Sequence, residues 1–399
     1  MKKIAVIIPL YNQWGLTQNC LRSLREHTEV EFIEVITVDN GSSDDTPTQC
    51  PALGKSLFGE DFQYIRLEKN KNFGPACNLG ATQAQTDFLL FLNNDTLLTP
   101  MWLDPLVHAF TENPKLGAVG PLLTYPDGRV QHLGVSLSPT SAICHLYHQF
   151  PSEHRVVGKK RKLQAITAAA LLLPKTVFEQ AGGFCEQYRN GFEDLDLCAL
   201  IRRQGLELTC VPTSRIVHLT SQSQGRFDAD RENAALFTSR CREDYMPDEH
   251  LFAHEDGFAL AFHSDFSPYF VYEQQPGTDI ARVWEQVQAE PFWEQGYAAL
   301  LCFFREKKMW AEALELLQMQ QAFFYSYECV VEILRVATRL GRKDILMDAQ
   351  TQLAALTEKQ KTALKRCLRA REHALRAQDT ILLSACDTWL ASYAPGLVK

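Results

Sequence analysis

Several short stretches of this sequence bring together side chains that could do chemistry. In "LNNDT" (Leu92–Thr96) the carboxylate of Asp95 follows two amides. Oxygen donors of this kind suit a hard cation such as Mg2+ or Mn2+, which commonly takes one or two carboxylates plus substrate phosphates. Asn and Asp are equally at home in a plain turn. In "VDNGSSDDT" (Val38–Thr46), Asp39 ends an apolar run and Asn40–Gly41 makes a tight turn. Helix capping accounts for Ser43 and Asp44. It does not account for Asp39, which is placed to accept from a base N–H or a ribose hydroxyl. In "GFEDLDLC" (Gly191–Cys198), Glu193, Asp194 and Asp196 open a helix. The helix dipole favours acids there and suffices for Asp196. Adjacent acids also offer one carboxylate as a general base. His218, in "RIVHLTSQSQGR" (Arg215–Arg226), closes another apolar run. A lone histidine is more often structural, but a neutral imidazole can complete a metal site. Arg226 faces either a phosphate or solvent.

Two weaker signals flank these. "IPLYN" ends an apolar run at Pro9, which cannot extend a ladder. That leaves Tyr11 and Asn12 on the following loop, where an aromatic ring can stack on a base. In "NKNFGPACNLG", Asn72 and Gly74 precede a helix with Pro75 at its first position. Free backbone N–H groups at a helix start favour anions such as phosphate.

The elements that must position these residues alternate. Strands are expected at Ile4–Leu10, Phe32–Val38, Phe62–Leu67 and Asp87–Leu92, with helical spacing between them. Such alternation predicts an α/β fold with a mostly parallel, Rossmann-like sheet covered by helices. In open sheets of this kind, ligands bind beyond the carboxyl ends of the strands. "PLYN", "VDN" and "LNND" all fall on that edge. From about residue 281 the pattern becomes helical and rich in Ala, Leu, Glu and Gln. Leu300, Leu301, Phe304, Leu314 and Leu317 form one apolar stripe, and two further helical hairpins are expected downstream. The spacing of Tyr297, Leu300, Phe304, Ala313 and Leu317 resembles a tetratricopeptide (TPR) unit of ~34 residues. A plain helical bundle fits the later stretches equally well. The expected domains are 1–265 (α/β), 266–280 (linker) and 281–399 (helical, TPR-like).

Composition narrows the functional classes. The chain has 399 residues, 46% apolar and 22% charged, with a formal net charge of -8. An acidic balance gives no support to a nucleic-acid partner. No run approaches ~18 consecutive apolar residues, so no integral membrane segment is expected. The opening "MKKIAVIIPLYNQWG" reads as a first strand rather than a leader. Twelve scattered cysteines without a C-x-x-C pair point to reduced thiols and a cytoplasmic location. The basic run "GKKRK" (Gly158–Lys162) reads as a solvated loop, with acceptor phosphate or a membrane surface as the other reading.

In order, "IIPLYN", "VDNGSSDDT", "NKNFGPACNLG", "FLNNDT", "AGGFCEQY" with "FEDLDLCALIRRQG", and "IVHLTSQSQG" closely resemble the family 2 inverting glycosyltransferases, over roughly residues 1–265. The resemblance implies a GT-A type fold and a hexosyltransferase-like enzyme of glycan biosynthesis. Such an enzyme takes a nucleotide-diphosphate sugar donor, a divalent metal (Mn2+ or Mg2+) and a glycan or protein acceptor. It implies that Pro9, Tyr11, Asn12, Asp39 and Asn40 surround the nucleoside, and that Asn72, Gly74 and Asn94 lie near the sugar diphosphate. It further implies Asp95 and His218 as metal ligands and Asp194 as the catalytic base. The sequence departs from the family's D-x-D pattern at Asn93, which replaces the first carboxylate and lowers the charge offered to a metal. A different class is a non-catalytic sugar-nucleotide-binding scaffold with a helical partner-docking domain. Intact Asp39, Asp95, Asp194 and His218 argue against it. A nucleotidyltransferase builds a similar sheet but needs a phosphate-cradling basic loop near its N-terminus, which Lys2 and Lys3 alone do not supply. Stacked helical hairpins make long concave surfaces, so an extended glycan or a protein is the expected partner of the C-terminal domain.

Overall fold

The computed structural model describes residues 3–219 and 229–395. Lys2 and Arg226 therefore lie outside the described residues. The chain divides into two compact units: residues 1–136 with 144–246, and residues 137–143 with 247–399. The division after Met246 falls earlier in the sequence than the linker expected at 266–280.

The first unit starts as the hydrophobic pattern dictates. β1 (Ile4–Leu10), α1 (Trp14–Glu26), β2 (Ile33–Asp39), α2 (Thr46–Phe58), β3 (Phe62–Arg66), α3 (Phe73–Gln83) and β4 (Phe88–Leu92) follow in turn. Then come β5 (Thr96–Leu98), α4 (Asp104–Glu112), β6 (Leu116–Thr124), β7 (Val130–His132), and the short paired strands β8 (Val135–Leu137) and β9 (Ile143–His145). β10 (Ala170–Pro174), α5 (Lys175–Gln180), α6 (Glu193–Arg203), β11 (Glu207–His218) and α7 (Asp230–Arg240) complete it. The main sheet runs β3-β2-β1-β4-β10-β6-β11-β5, with β7 on β6. Its first four strands are parallel, as expected. Beyond β4 it is mixed, because β10 enters antiparallel to both β4 and β6. β1 lies between β2 and β4, so the strand order reverses there and leaves a crevice at the carboxyl edge.

Two details correct the sequence reading. Pro9 does not end β1, which runs on to Leu10 opposite Asp39. Pairing with β4 has already stopped at Ile7, so no ladder bond to β4 is missed. Pro75 is the third residue of α3, which starts at Phe73. First-turn N–H groups lack intrahelical partners anyway, so proline is tolerated there. Gly80 of α3 lets that helix settle onto the sheet: a Cβ there would stand 2.5 Å from Ile7 Cγ2. The "GKKRK" loop is held by surface ion pairs, Lys160–Glu112 and Lys162–Glu207.

From residue 247 on, the described residues of the second unit form helices and one β-hairpin. α8 (Glu249–Glu255) precedes β12 (Ala259–Phe262) and β13 (Pro268–Val271). α9 (Ile280–Ala289), α10 (Glu294–Glu306), α11 (Trp310–Gln321), α12 (Tyr327–Leu340), α13 (Lys343–Ala377) and α14 (Thr380–Tyr393) follow, each packed on the next. The cap chemistry is local. Asp279 accepts from Ala281 and Arg282 N–H, Ser326 Oγ from Cys329 N–H, and Asp379 Oδ1 from Leu382 N–H. Trp293, Tyr297, Leu300, Phe304, Leu314 and Leu317 share one core. The two downstream hairpins are not separate, because they share α13, a single helix of 35 residues. Nothing between Leu356 and Lys361 breaks it; Thr357, Glu358, Lys359 and Gln360 carry on the helix without Gly or Pro. Among the described residues, no helix is long and apolar enough to cross a membrane.

Candidate active site

The carboxyl edge of β1 and β2 is tied together by its own polar side chains. Asp39 is fully buried: Oδ1 accepts from Ser42 N–H at 2.8 Å and Oδ2 from the Tyr64 hydroxyl. Gly41 makes the turn at φ 79°, where a Cβ would stand 2.9 Å from Lys69 Cα. Asn12 and Gln13 both hold left-handed backbone, at φ 55° and 58°. That strain is balanced across the loops: Asn12 N–H donates to Ser42 Oγ, and Asn12 Oδ1 accepts from Ser43 N–H. Asp44 caps α2 through Thr46 N–H and also takes Trp14 N–H at the start of α1. Ser43 is therefore a partner of Asn12 rather than a helix cap. Tyr11 stays 48% exposed on this edge.

The next wall is built from α3 and the loop before α6. Asn40 clamps it: Nδ2 donates to Asn72 C=O, and Oδ1 accepts from Lys71 N–H. Asn72 has φ 71°. Gly74 is buried against Phe184, where a Cβ would come within 3.3 Å. Phe73 N–H, the first of α3, donates to Asn190 Oδ1. Asn190 was not singled out from the sequence. The start of α3 and the approach to Glu193–Asp194 are thus one connected surface.

At the end of β4, Asn94 Nδ2 donates to Thr17 Oγ1, anchoring the turn to α1. Asp95 Oδ1 stands 3.0 Å from His218 Nε2, and both residues are buried. Asn93 Nδ2 lies 3.4 Å from the same nitrogen. The far side of the ring fixes its tautomer. Gln131 Nε2 donates to the His218 carbonyl, which orients the amide so that Oε1 accepts from Nδ1–H at 2.6 Å. In the neutral ring the Nε2 lone pair then faces the carboxylate. Two lone-pair atoms facing each other at this distance suit a divalent ion between them. No cluster of three or more His, Cys, Asp or Glu converges among the described residues. The protein thus offers a metal two donors, Asp95 and His218, with room in its coordination for diphosphate oxygens and water. The residues fit such an ion on those terms. Cys20 behind them is no thiolate ligand, since burial pushes its thiol up to about 12.

Residues 167–169 join this corner to the acidic helix. Asn93 N–H donates to Ala169 C=O, and Ala168 N–H donates to Asp194 Oδ2 at 3.3 Å. Thr167 N–H donates to His132 Nε2, and His132 Nδ1 lies 2.7 Å from His145 Nδ1. Burial holds His132 well below the usual imidazole range, with His145 and His218 adding to the effect. Asp194 is half-buried, whereas Glu193 is buried and accepts from Gly191 N–H. Asp196 does more than complement a dipole: it is buried in a two-pronged ion pair with Arg240. Gln131 and His132 went unread in the sequence. Their only signal was a polar pair inside the apolar run "VQHLGV", now buried on β7.

Residues 5–179 match the model of glycosyl transferase family 2. The O-antigen biosynthesis protein RfbC of Myxococcus xanthus is 31% identical over 57% of this chain, a stretch that spans only 18% of that protein. The N-acetylglucosaminyl-diphospho-decaprenol L-rhamnosyltransferase of Mycobacterium tuberculosis is 26% identical over 56% of this chain and 78% of its own length. A mannosyltransferase from Pyrobaculum calidifontis, solved with GDP-Man and Mn2+, overlays 91% of this chain and 87% of its own. Its TM-score is 0.44 at 16% identity. The family match, over less than half of the chain, marks its N-terminal part as similar to glycosyl transferase family 2.

Proposed function

We propose that this protein is an inverting glycosyltransferase that moves a sugar from a nucleoside-diphosphate sugar to an acceptor hydroxyl. The observation that carries the reading is the short bridge 167–169, which holds Asn93 on one side and Asp194 on the other. It brings a cation corner and a carboxylate into one neighbourhood at the carboxyl edge. In this reading Pro9, Tyr11, Asn12, Asp39 and Asn40 frame the nucleoside, with the exposed Tyr11 ring available for stacking. Asn72, Gly74 and Asn94 lie along the sugar diphosphate. Asp95 and His218 hold a divalent ion, Mn2+ or Mg2+, which supplies charge stabilisation for the departing nucleoside diphosphate. Asp194 accepts the acceptor's hydroxyl proton as that oxygen forms its bond to the anomeric carbon. The bond from that carbon to the diphosphate oxygen breaks on the opposite face, and a single displacement inverts the centre.

The names of the relatives point to lipid-linked or polymeric glycan acceptors in bacterial surface glycan synthesis. Twelve free cysteines favour a reducing compartment, hence the cytoplasm. Asp194→Asn tests the assignment directly. General-base assistance is worth roughly 10²–10⁴-fold, so transfer should fall by that factor while calorimetric donor affinity with Mn2+ holds. Near-normal turnover in that variant defeats the role of Asp194. A wild-type protein that releases no nucleoside diphosphate from any donor favours the scaffold reading instead.

A further inference from the structure

The two faces of α13 are unlike. Ala349, Leu356, Ala363, Cys367, Ala370 and Ala374 are buried against neighbouring helices. Leu364, Leu368 and Leu375 point elsewhere, at 38%, 46% and 51% exposure. At about 100° per residue the three fall within roughly 40° of arc, so they form one narrow stripe. Lys361, Lys365 and Arg369 occupy roughly the next 100° of the same surface and are all exposed. From Glu358 to Arg376 the sequence carries seven lysines and arginines against two glutamates, in a chain whose formal net charge is -8. The local pairs Lys361–Glu358 and Arg376–Glu372 are exposed and weakly held.

We propose that the second half of α13 is an adsorption surface for a bilayer carrying anionic headgroups. The leucine stripe enters the acyl boundary, and the flanking lysines and arginines meet the headgroup phosphates, as basic amphipathic helices do. Charge selects this occupant. A second copy of the same face would set Lys365 and Arg369 against their own kind. A nucleic acid would leave the leucines against phosphates. The helix is not apolar enough to cross a membrane, so the contact is peripheral. The inference is independent of the transfer chemistry assigned to the first unit.

The test is co-sedimentation of the full chain with vesicles of phosphatidylcholine alone, or with about a third phosphatidylglycerol. Binding should appear on the anionic vesicles, weaken with salt, and fall at least about tenfold on the neutral ones. Leu364→Glu with Leu368→Glu should lose it to the same extent, with unchanged circular dichroism. Lys365→Gln with Arg369→Gln leaves the leucines in place and should also lose it, so a folding defect in the first variant does not decide the matter. Equal pelleting on both vesicles, or no pelleting on either, overturns the proposal. A dimer in light scattering that the leucine variant dissociates overturns it in favour of self-association. An acidic protein that binds α13 while anionic vesicles do not overturns it in favour of a protein partner.

Discussion

The two units each bury a histidine against an aspartate, and the contrast between the pairs is instructive. In the first unit His218 Nε2 meets Asp95, its Nδ1–H is taken by Gln131, and half-buried amides surround the pair at a sheet edge. In the second, His250 Nε2 meets Asp379 at 2.5 Å, but His250 Nδ1 is buried with no hydrogen-bond partner among the described residues, and Asp379 also caps α14. The first pair is braced from behind and has ligand-type neighbours in front. The second fastens α8 to the start of α14. On the proposed function, the same two residue types serve a site in one place and a fold in the other, and the surroundings of the ring tell them apart.

That contrast can be broken by substitution. The largest expected effect is on stability: Asp379→Ala removes a helix cap and strips a buried imidazole of its partner. Together these should cost about 2–4 kcal/mol in urea unfolding, with donor binding intact in the protein that remains folded. Asp95→Ala should do the reverse, weakening Mn2+-dependent donor affinity about 10–100-fold by calorimetry while the unfolding midpoint barely moves. A large stability loss there would make the Asp95 pair structural, like its counterpart. Gln131→Leu leaves Nδ1–H without its acceptor. Metal-dependent donor affinity should drop toward the lower end of that range, about tenfold, as for other residues that orient a ligand.

The smallest effect is on pH dependence. Burial holds His250 below the ordinary imidazole range even though Asp379 pulls the other way, and burial likewise lowers His263. As pH falls through about 6.5 the unfolded chain takes up these protons first. Stability is therefore fully present above that pH and declines below it, toward the lower folded values. Thermal melts at pH 7.5 and 5.5 should differ, and His250→Gln should narrow the gap. An unchanged gap assigns the acid sensitivity elsewhere.

How much of this was legible follows from the range of the interactions. β1, β2 and β4 were readable because continuous apolar runs end abruptly in Asp39 or Asn93–Asp95. The helices of the second unit were readable because apolar residues recur there at helical spacing, as from Tyr297 to Leu317. The shared α13 was missed because a hairpin was expected where the sequence holds no breaker. Gln131, 87 residues from His218, and Asn190, 117 from Phe73, were missed for a different reason. Neither sits in a local pattern; each acquires meaning only when a distant segment folds against it. The break in the sheet's parallel order belongs to the same class, since it depends on where β10 inserts.

Asp44 holds the first N–H groups of both α1 and α2 with one carboxylate. The neighbouring loops after β1 and β2 therefore form a single stiff floor at the carboxyl edge rather than two independent flaps. A flat aromatic guest settling on such a floor has little ordering left to impose, so its affinity should reflect contact rather than rearrangement. Slackening that one residue should loosen both loops at once.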